Sequence, residues 1–220
     1  MRLFHALFCG IMALGAVPAS AGVIPDLYDT GVGNDGISLP DGTPDPHYTI
    51  VSGDDGSVAS TTTVKTSASG YPVGWWTADS PNSAWIMPSA GYPGNSFPVG
   101  DSDFQTAFTL PNGVNSVTIS LNMATDDFGP AVLFSGVQVA GPWTGHGFVY
   151  TPITFTSSNV QAGENTLTFV VYNEGGPTGL RVDGINGTFT TVPEPSSLLL
   201  ALTLASLQLS RRRFPNRGGQ

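Results

Sequence analysis

Cysteine is almost absent from this chain of 220 residues: its one cysteine, Cys9, stands near the N-terminus. The remainder therefore has no disulfide framework, no cysteine nucleophile and no thiolate-bound zinc. Positive charge is nearly as scarce. Of seven Lys and Arg residues, one is Arg2 and four follow Ser210, which leaves Lys65 and Arg181 for everything between. All sixteen Asp and Glu residues lie between Gly22 and Pro195, so two cations meet sixteen anions there and the stretch carries −14. Nucleic acids and anionic membrane surfaces are recognised by basic patches, so neither is an expected partner of this body. Histidine is thin as well. The body holds only His47 and His146, neither in a metal-ligand spacing, and no Gly-x-Ser-x-Gly elbow is present. No catalytic residue is expected, and the chain reads as a non-enzyme.

Helical periodicity is missing from the body, whereas two-residue alternation recurs. Phe104, Thr106, Phe108 and Leu110 share one strand face; Val117, Ile119, Leu121 and Met123 share the next, and Leu167, Phe169 and Val171 a later one. Pro111-Asn112-Gly113 separates the first two runs as a hairpin turn would. Further strands are predicted at Tyr48–Ser52, Val58–Thr66, Gly74–Trp76, Ala84–Met87, Ala131–Phe134, Val137–Ala140, Phe148–Phe155 and Arg181–Thr190. Short strands at this spacing predict an all-β fold, an antiparallel β-sandwich in one domain over 22–192.

Two residue groups could carry chemistry. Asp126 and Asp127 follow an alternating strand and precede Phe128-Gly129-Pro130. They are the first candidates for a structural calcium ion, which takes six to eight oxygens; the plain alternative is that Asp and Gly make turns. Trp75 and Trp76 are candidates for stacking on sugar rings. Adjacent residues of a strand point to opposite faces, so both cannot be core if the stretch is extended.

The ends differ from the body. Arg2, an apolar stretch over Leu3–Val17 and small residues before Gly22 have the layout of a signal peptide, 1–21. At the other end, Pro193-Glu194-Pro195 is followed by an apolar run, Leu198 to Leu209, and by Arg211, Arg212 and Arg213. A helix over 198–209, or over 196–210 with the flanking serines, would reach roughly 18–22 Å at ~1.5 Å per residue, short of a bilayer core of about 30 Å. It is read as a marginal transmembrane helix with its arginines on the cytoplasmic side.

Pro193, Glu194 and Pro195, the short apolar helix and the Arg211–Arg213 cluster together resemble the PEP-CTERM sorting tail. That resemblance implies export, inner-membrane anchoring, processing by exosortase, and release to the cell surface or extracellular matrix. The body is similar to exported single-sandwich proteins of that group. The matching pieces include Asp45-Pro46-His47-Tyr48, Ser83-Ala84-Trp85-Ile86, Asp103-Phe104-Gln105-Thr106 and Asn173-Glu174-Gly175-Gly176-Pro177-Thr178-Gly179-Leu180. It also resembles galactose-binding-like jelly rolls attached to glycosidases. The expected role is a structural or adhesive surface component. The alternative is a carbohydrate-binding module that attaches to exopolysaccharide.

Overall fold

The computed structural model describes residues 20–53, 60–71, 74–88, 97–143, 147–192, 204 and 206. The chain divides into two units. Of the unit Met1–Ser20 with Pro193–Gln220, only Ser20, Leu204 and Ser206 are described, and the last two are helical and exposed. The unit Ala21–Val192 is built from eleven strands. These are β1 (Ser20–Val23), β2 (Pro44–Gly53), β3 (Ser60–Lys65), β4 (Trp85–Pro88), β5 (Gly100–Leu110), β6 (Val114–Asp126), β7 (Phe128–Phe134), β8 (Val137–Ala140), β9 (Thr151–Ser157), β10 (Gly163–Asn173) and β11 (Gly179–Thr191). One 3-10 turn, Ser67–Ser69, interrupts them.

The strands form one sheet in the order β8-β7-β10-β5-β2-β3-β4-β11-β6-β9, with β1 beside β11. The end strands β8 and β9 approach one another, so the sheet curls into a nearly closed barrel. The all-β expectation stands, but the two-sheet jelly-roll sandwich flanked by helices is corrected. The reason lies in β2, β3 and β4. These strands join the β8-β7-β10-β5 half to the β11-β6-β9 half through Val64↔Ile86 and a single registered pair, Leu180↔Ile86. Short β4 is buried along its whole length, so both its faces are covered.

Alternation places the core as the sequence implies. Phe104, Phe108 and Leu110 of β5, Ile119 and Leu121 of β6, and Leu167, Phe169 and Val171 of β10 point into the barrel with Tyr48, Ile50, Ile86 and Val182. Opposite residues on the same strands face outward. On β4 and β6 that outer face carries Trp85, Met87 and Ala124, which join Tyr71, Trp76 and Phe97 in a second, smaller apolar cluster. Two irregular segments roof this cluster, and Thr77 N donates to Phe148 O at 2.9 Å where they meet. The predicted strand Gly74–Trp76 is instead a turn within the roof.

Arg181 fixes that roof. Its neighbours Leu180 and Val182 face the core, so its own side chain falls on the outer face, where it is fully buried. Its guanidinium donates to Thr77 O at 3.1 Å, Ala78 O at 2.5 Å and Ser83 O at 3.0 Å, and Nε donates to Ser83 Oγ at 3.1 Å. Ser83 Oγ in turn donates to Asp183 at 2.7 Å, so the buried charge reaches a carboxylate through one hydroxyl. The Tyr150 ring lies 5.6 Å from the guanidinium carbon.

Candidate functional site

The ends of β6 and β10 and the starts of β5, β7 and β11 converge on one corner of the unit. Register brings Gly179 opposite Asp126, Asn173 opposite Gly100, and Tyr172 opposite Phe128. Asn173 Nδ2 donates to Phe97 O at 3.0 Å and Pro98 O at 2.8 Å, which ties the glycine-rich 173–178 segment to the chain before β5.

Asp126 and Asp127 lie in this corner, and both are buried. Adjacent residues of a regular strand point to opposite faces, but between Asp126 and Asp127 the chain passes from β6 to β7. The main chain is fully engaged on both sides of the pair. Thr178 Oγ1 donates to Asp126 O at 2.9 Å, Asp127 N donates to Tyr172 O at 3.1 Å, and Gly147 N donates to Asp127 O at 2.8 Å. Thr125 N donates to Gly147 O at 2.8 Å. Gly147 permits this contact because any Cβ there would lie 2.3 Å from Thr125 Oγ1.

The two carboxyls interact directly. Burial, then the hydrogen bond that protonated Asp126 donates to Asp127 and the charge of Asp127, push Asp126 up to about 8. At neutral pH the pair therefore holds one shared proton, because two adjacent buried carboxylates would repel at short range in a poor dielectric. Asp127 Oδ2 is further held by Glu174 N at 2.6 Å. Trp76 approaches from the other side and weakly favours the Asp126 carboxylate. Its buried Nε1 has no partner at full hydrogen-bonding geometry. Calcium at this pair would have to displace the proton and compete with donors already on Asp127 Oδ2 and on both main-chain oxygens. Among the described residues, no three His, Cys, Asp or Glu side chains come together as a metal site.

The adjacent tryptophans part company. Trp76 is 5% exposed and packs on Trp85 at a centroid distance of 4.3 Å and on Tyr71 at 5.4 Å. Trp75 is 72% exposed. The turn that sends one indole inward thus sends the other into water. Its continuation is rigid: Trp85 Nε1 donates to Thr77 O at 2.9 Å, and Arg181 holds Thr77 and Ala78 from below. Sequence reasoning singled out the pair but not Arg181, whose role is invisible until β11 meets the 77–83 segment.

No protein-family model and no curated protein match the chain. Solved structures resemble it weakly. The Stig cyclase Fisc of Fischerella sp. TAU is 14% identical, with a TM-score of 0.46 over 79% of this chain and 100% of that one. The GH26-CBM35 β-(1,4)-mannanase of Podospora anserina is 18% identical, with a TM-score of 0.32 over 61% of this chain and 26% of that one. The apo form of BiXyn10A CBM1 is 16% identical, with a TM-score of 0.28 over 50% of this chain and 73% of that one.

These findings correct the reading drawn from the ends of the chain. Membership among PEP-CTERM proteins is not upheld, since no family model matches the chain. The structural or adhesive surface role, exosortase as a partner, and passage through the inner membrane to the cell surface or matrix fall with it. Among the described residues no helix is long and apolar enough to cross a membrane. Pro193, Glu194, Pro195, Arg211, Arg212, Arg213 and nearly all of the expected 1–21 and 196–210 segments lie outside the described residues. The non-enzymatic expectation is also withdrawn, since the scarce histidine and the missing cysteine behind it exclude particular mechanisms and not enzymes as a class.

Proposed function

We propose that the Ala21–Val192 unit binds carbohydrate, with Trp75 as the platform on which a sugar ring stacks. The observation that carries this reading is the opposite placement of two adjacent indoles, Trp75 in water and Trp76 in a packed cluster. An indole offers a flat apolar face to the C–H face of a pyranose and binds best when its backbone is already fixed. The Trp76–Trp85 stack and the Arg181 hydrogen bonds supply that fixation. The strongly acidic body favours neutral or cationic glycans over anionic ones. A sugar covering about 100 Å² of the indole would gain roughly 2.5 kcal/mol, or about 70-fold in affinity.

A glycan array with the full-length chain tests the reading. Binding of at least one neutral or cationic glycan is expected, and Trp75→Ala should abolish it without altering thermal unfolding. Glycan binding untouched by Trp75→Ala would remove Trp75 from the site.

A further inference from the structure

A second feature lies at the other end of β10. There a cleft of about 390 Å³ is lined by Ser135, Asn159, Val160, Gln161, Glu164, Asn165 and Thr166. Gly163 is registered with Leu110 and Asn173 with Gly100, so the length of β10 separates this cleft from the Asp126 corner. Its volume falls within the range of small-molecule sites.

The cleft is built on amides whose donors are largely spent, one N–H of Gln161 excepted. Asn165, almost wholly buried, donates from Nδ2 to Gln161 O at 2.8 Å and Gly163 O at 3.0 Å, while its Oδ1 accepts from Gln161 N at 3.1 Å. Asn159 Nδ2 donates to Phe134 O at 3.4 Å and Ser135 O at 3.3 Å, which links the 157–161 segment to the β7–β8 turn. Gln161 Nε2 donates to Glu164 O at 2.6 Å. These bonds leave Asn159 Oδ1, Gln161 Oε1, the Glu164 carboxylate and the Thr166 hydroxyl without a hydrogen bond from any described residue. Three of those four groups can only accept. Among the described residues no cation lines the cleft, and Val160 is the sole apolar wall.

A complementary ligand must therefore donate. Several dispersed neutral acceptors suit hydroxyl groups, and the single carboxylate suits one ammonium. A bare divalent cation is poorly served by one carboxylate. A polyamine would need apolar walls for its methylenes. We propose that this cleft is a second binding site, selective for a cationic amino sugar of the glucosamine type. The proposal deepens the carbohydrate reading and rests on it for ligand class, but it uses none of the same residues.

The test is calorimetric titration of the full-length chain with glucosamine oligomers, their N-acetylated counterparts, neutral gluco-oligomers and spermidine. Glucosamine oligomers should bind about tenfold or more tightly than the acetylated form, the scale of a hydrogen bond to a charged group. Glu164→Gln should erase that preference and leave thermal unfolding unchanged. Glu174→Gln, which removes the same charge at the far end of β10, should leave the preference intact. Equal affinity for amino and acetylated sugars would overturn the proposal. So would equal binding of spermidine, which would reveal attraction to net charge alone, or equal loss in Glu174→Gln. If Trp75→Ala abolishes amino-sugar binding, the ligand sits at Trp75 and the cleft proposal fails. If Trp75→Ala changes no glycan affinity while Glu164→Gln does, the Trp75 reading fails and the cleft stands.

Discussion

Replacing Asp126 by Asn should make the folded unit more stable in alkali and nearly unchanged in acid. The Asp126 carboxyl stands at about 8 in the folded chain against an ordinary 3.8. Between those values the folded state keeps a proton that the unfolded state has released. Stability therefore falls as pH rises through this window, is fully present below its lower bound, and is lost above its upper bound. A displacement of about four units corresponds to roughly 6 kcal/mol in full. The pair lies at a strand end, where screening and relaxation lower the cost, so about 3 kcal/mol is the working figure. Asparagine has the same shape and can donate to Asp127 as the protonated acid does, but it cannot ionise. The expected gain over the parent is about 3 kcal/mol at pH 9, or roughly 6–12 °C in Tm for a unit of this size, and under about 1 kcal/mol at pH 4. Urea unfolding of both proteins at pH 4, 6, 7.5 and 9 reads this directly. Parallel stability profiles across that range would refute the shared-proton account of the corner.

Arg181→Ala should cost about 3–5 kcal/mol, because it leaves the Thr77, Ala78 and Ser83 carbonyls and the Asp183 network without their buried partner; chemical denaturation measures it. Gly147→Ala should destabilise by about 1–3 kcal/mol, read as a fall in Tm, since the new methyl meets Thr125 Oγ1 at 2.3 Å. Trp76→Ala should cost about 3–5 kcal/mol through the loss of its stack on Trp85, whereas Trp75→Ala should stay within about 0.5 kcal/mol of the parent.

Much of the strand content was legible. The alternating faces of β5, β6 and β10 follow from a period of two, and their apolar residues fill the barrel. Closure was not legible. It depends on β4, four residues whose pairing with β3 and β11 joins two halves that would otherwise form separate sheets. Such non-local pairing leaves no periodic trace. The Gly74–Trp76 segment alternated too weakly to show that it turns, and the argument that a strand cannot bury both tryptophans does not apply to a turn. Asp126 and Asp127 were visible as an acidic pair, but their shared proton arises from burial that only the convergence of β6, β7 and the 173–178 segment creates. Arg181 gave a faint signal as one of two body cations, yet its partners sit about a hundred residues away in sequence. The amides of the second cleft looked like ordinary turn residues, and their largely spent donors appear only in the folded chain.

The ligand itself can be observed at Trp75. This indole is 72% exposed, while Trp76 and Trp85 are 5% and 0% exposed. Acrylamide should therefore quench Trp75 most strongly, the half-buried Trp143 less, and the two buried indoles weakly. Titrating the best array glycan while following acrylamide quenching of the full-length chain is the most direct measurement of the carbohydrate reading. Saturating glycan should protect a quenchable fraction of the emission, and Trp75→Ala should remove both that fraction and the protection. A glycan that binds with no change in quenching, or protection that persists in Trp75→Ala, would contradict a sugar stacked on Trp75.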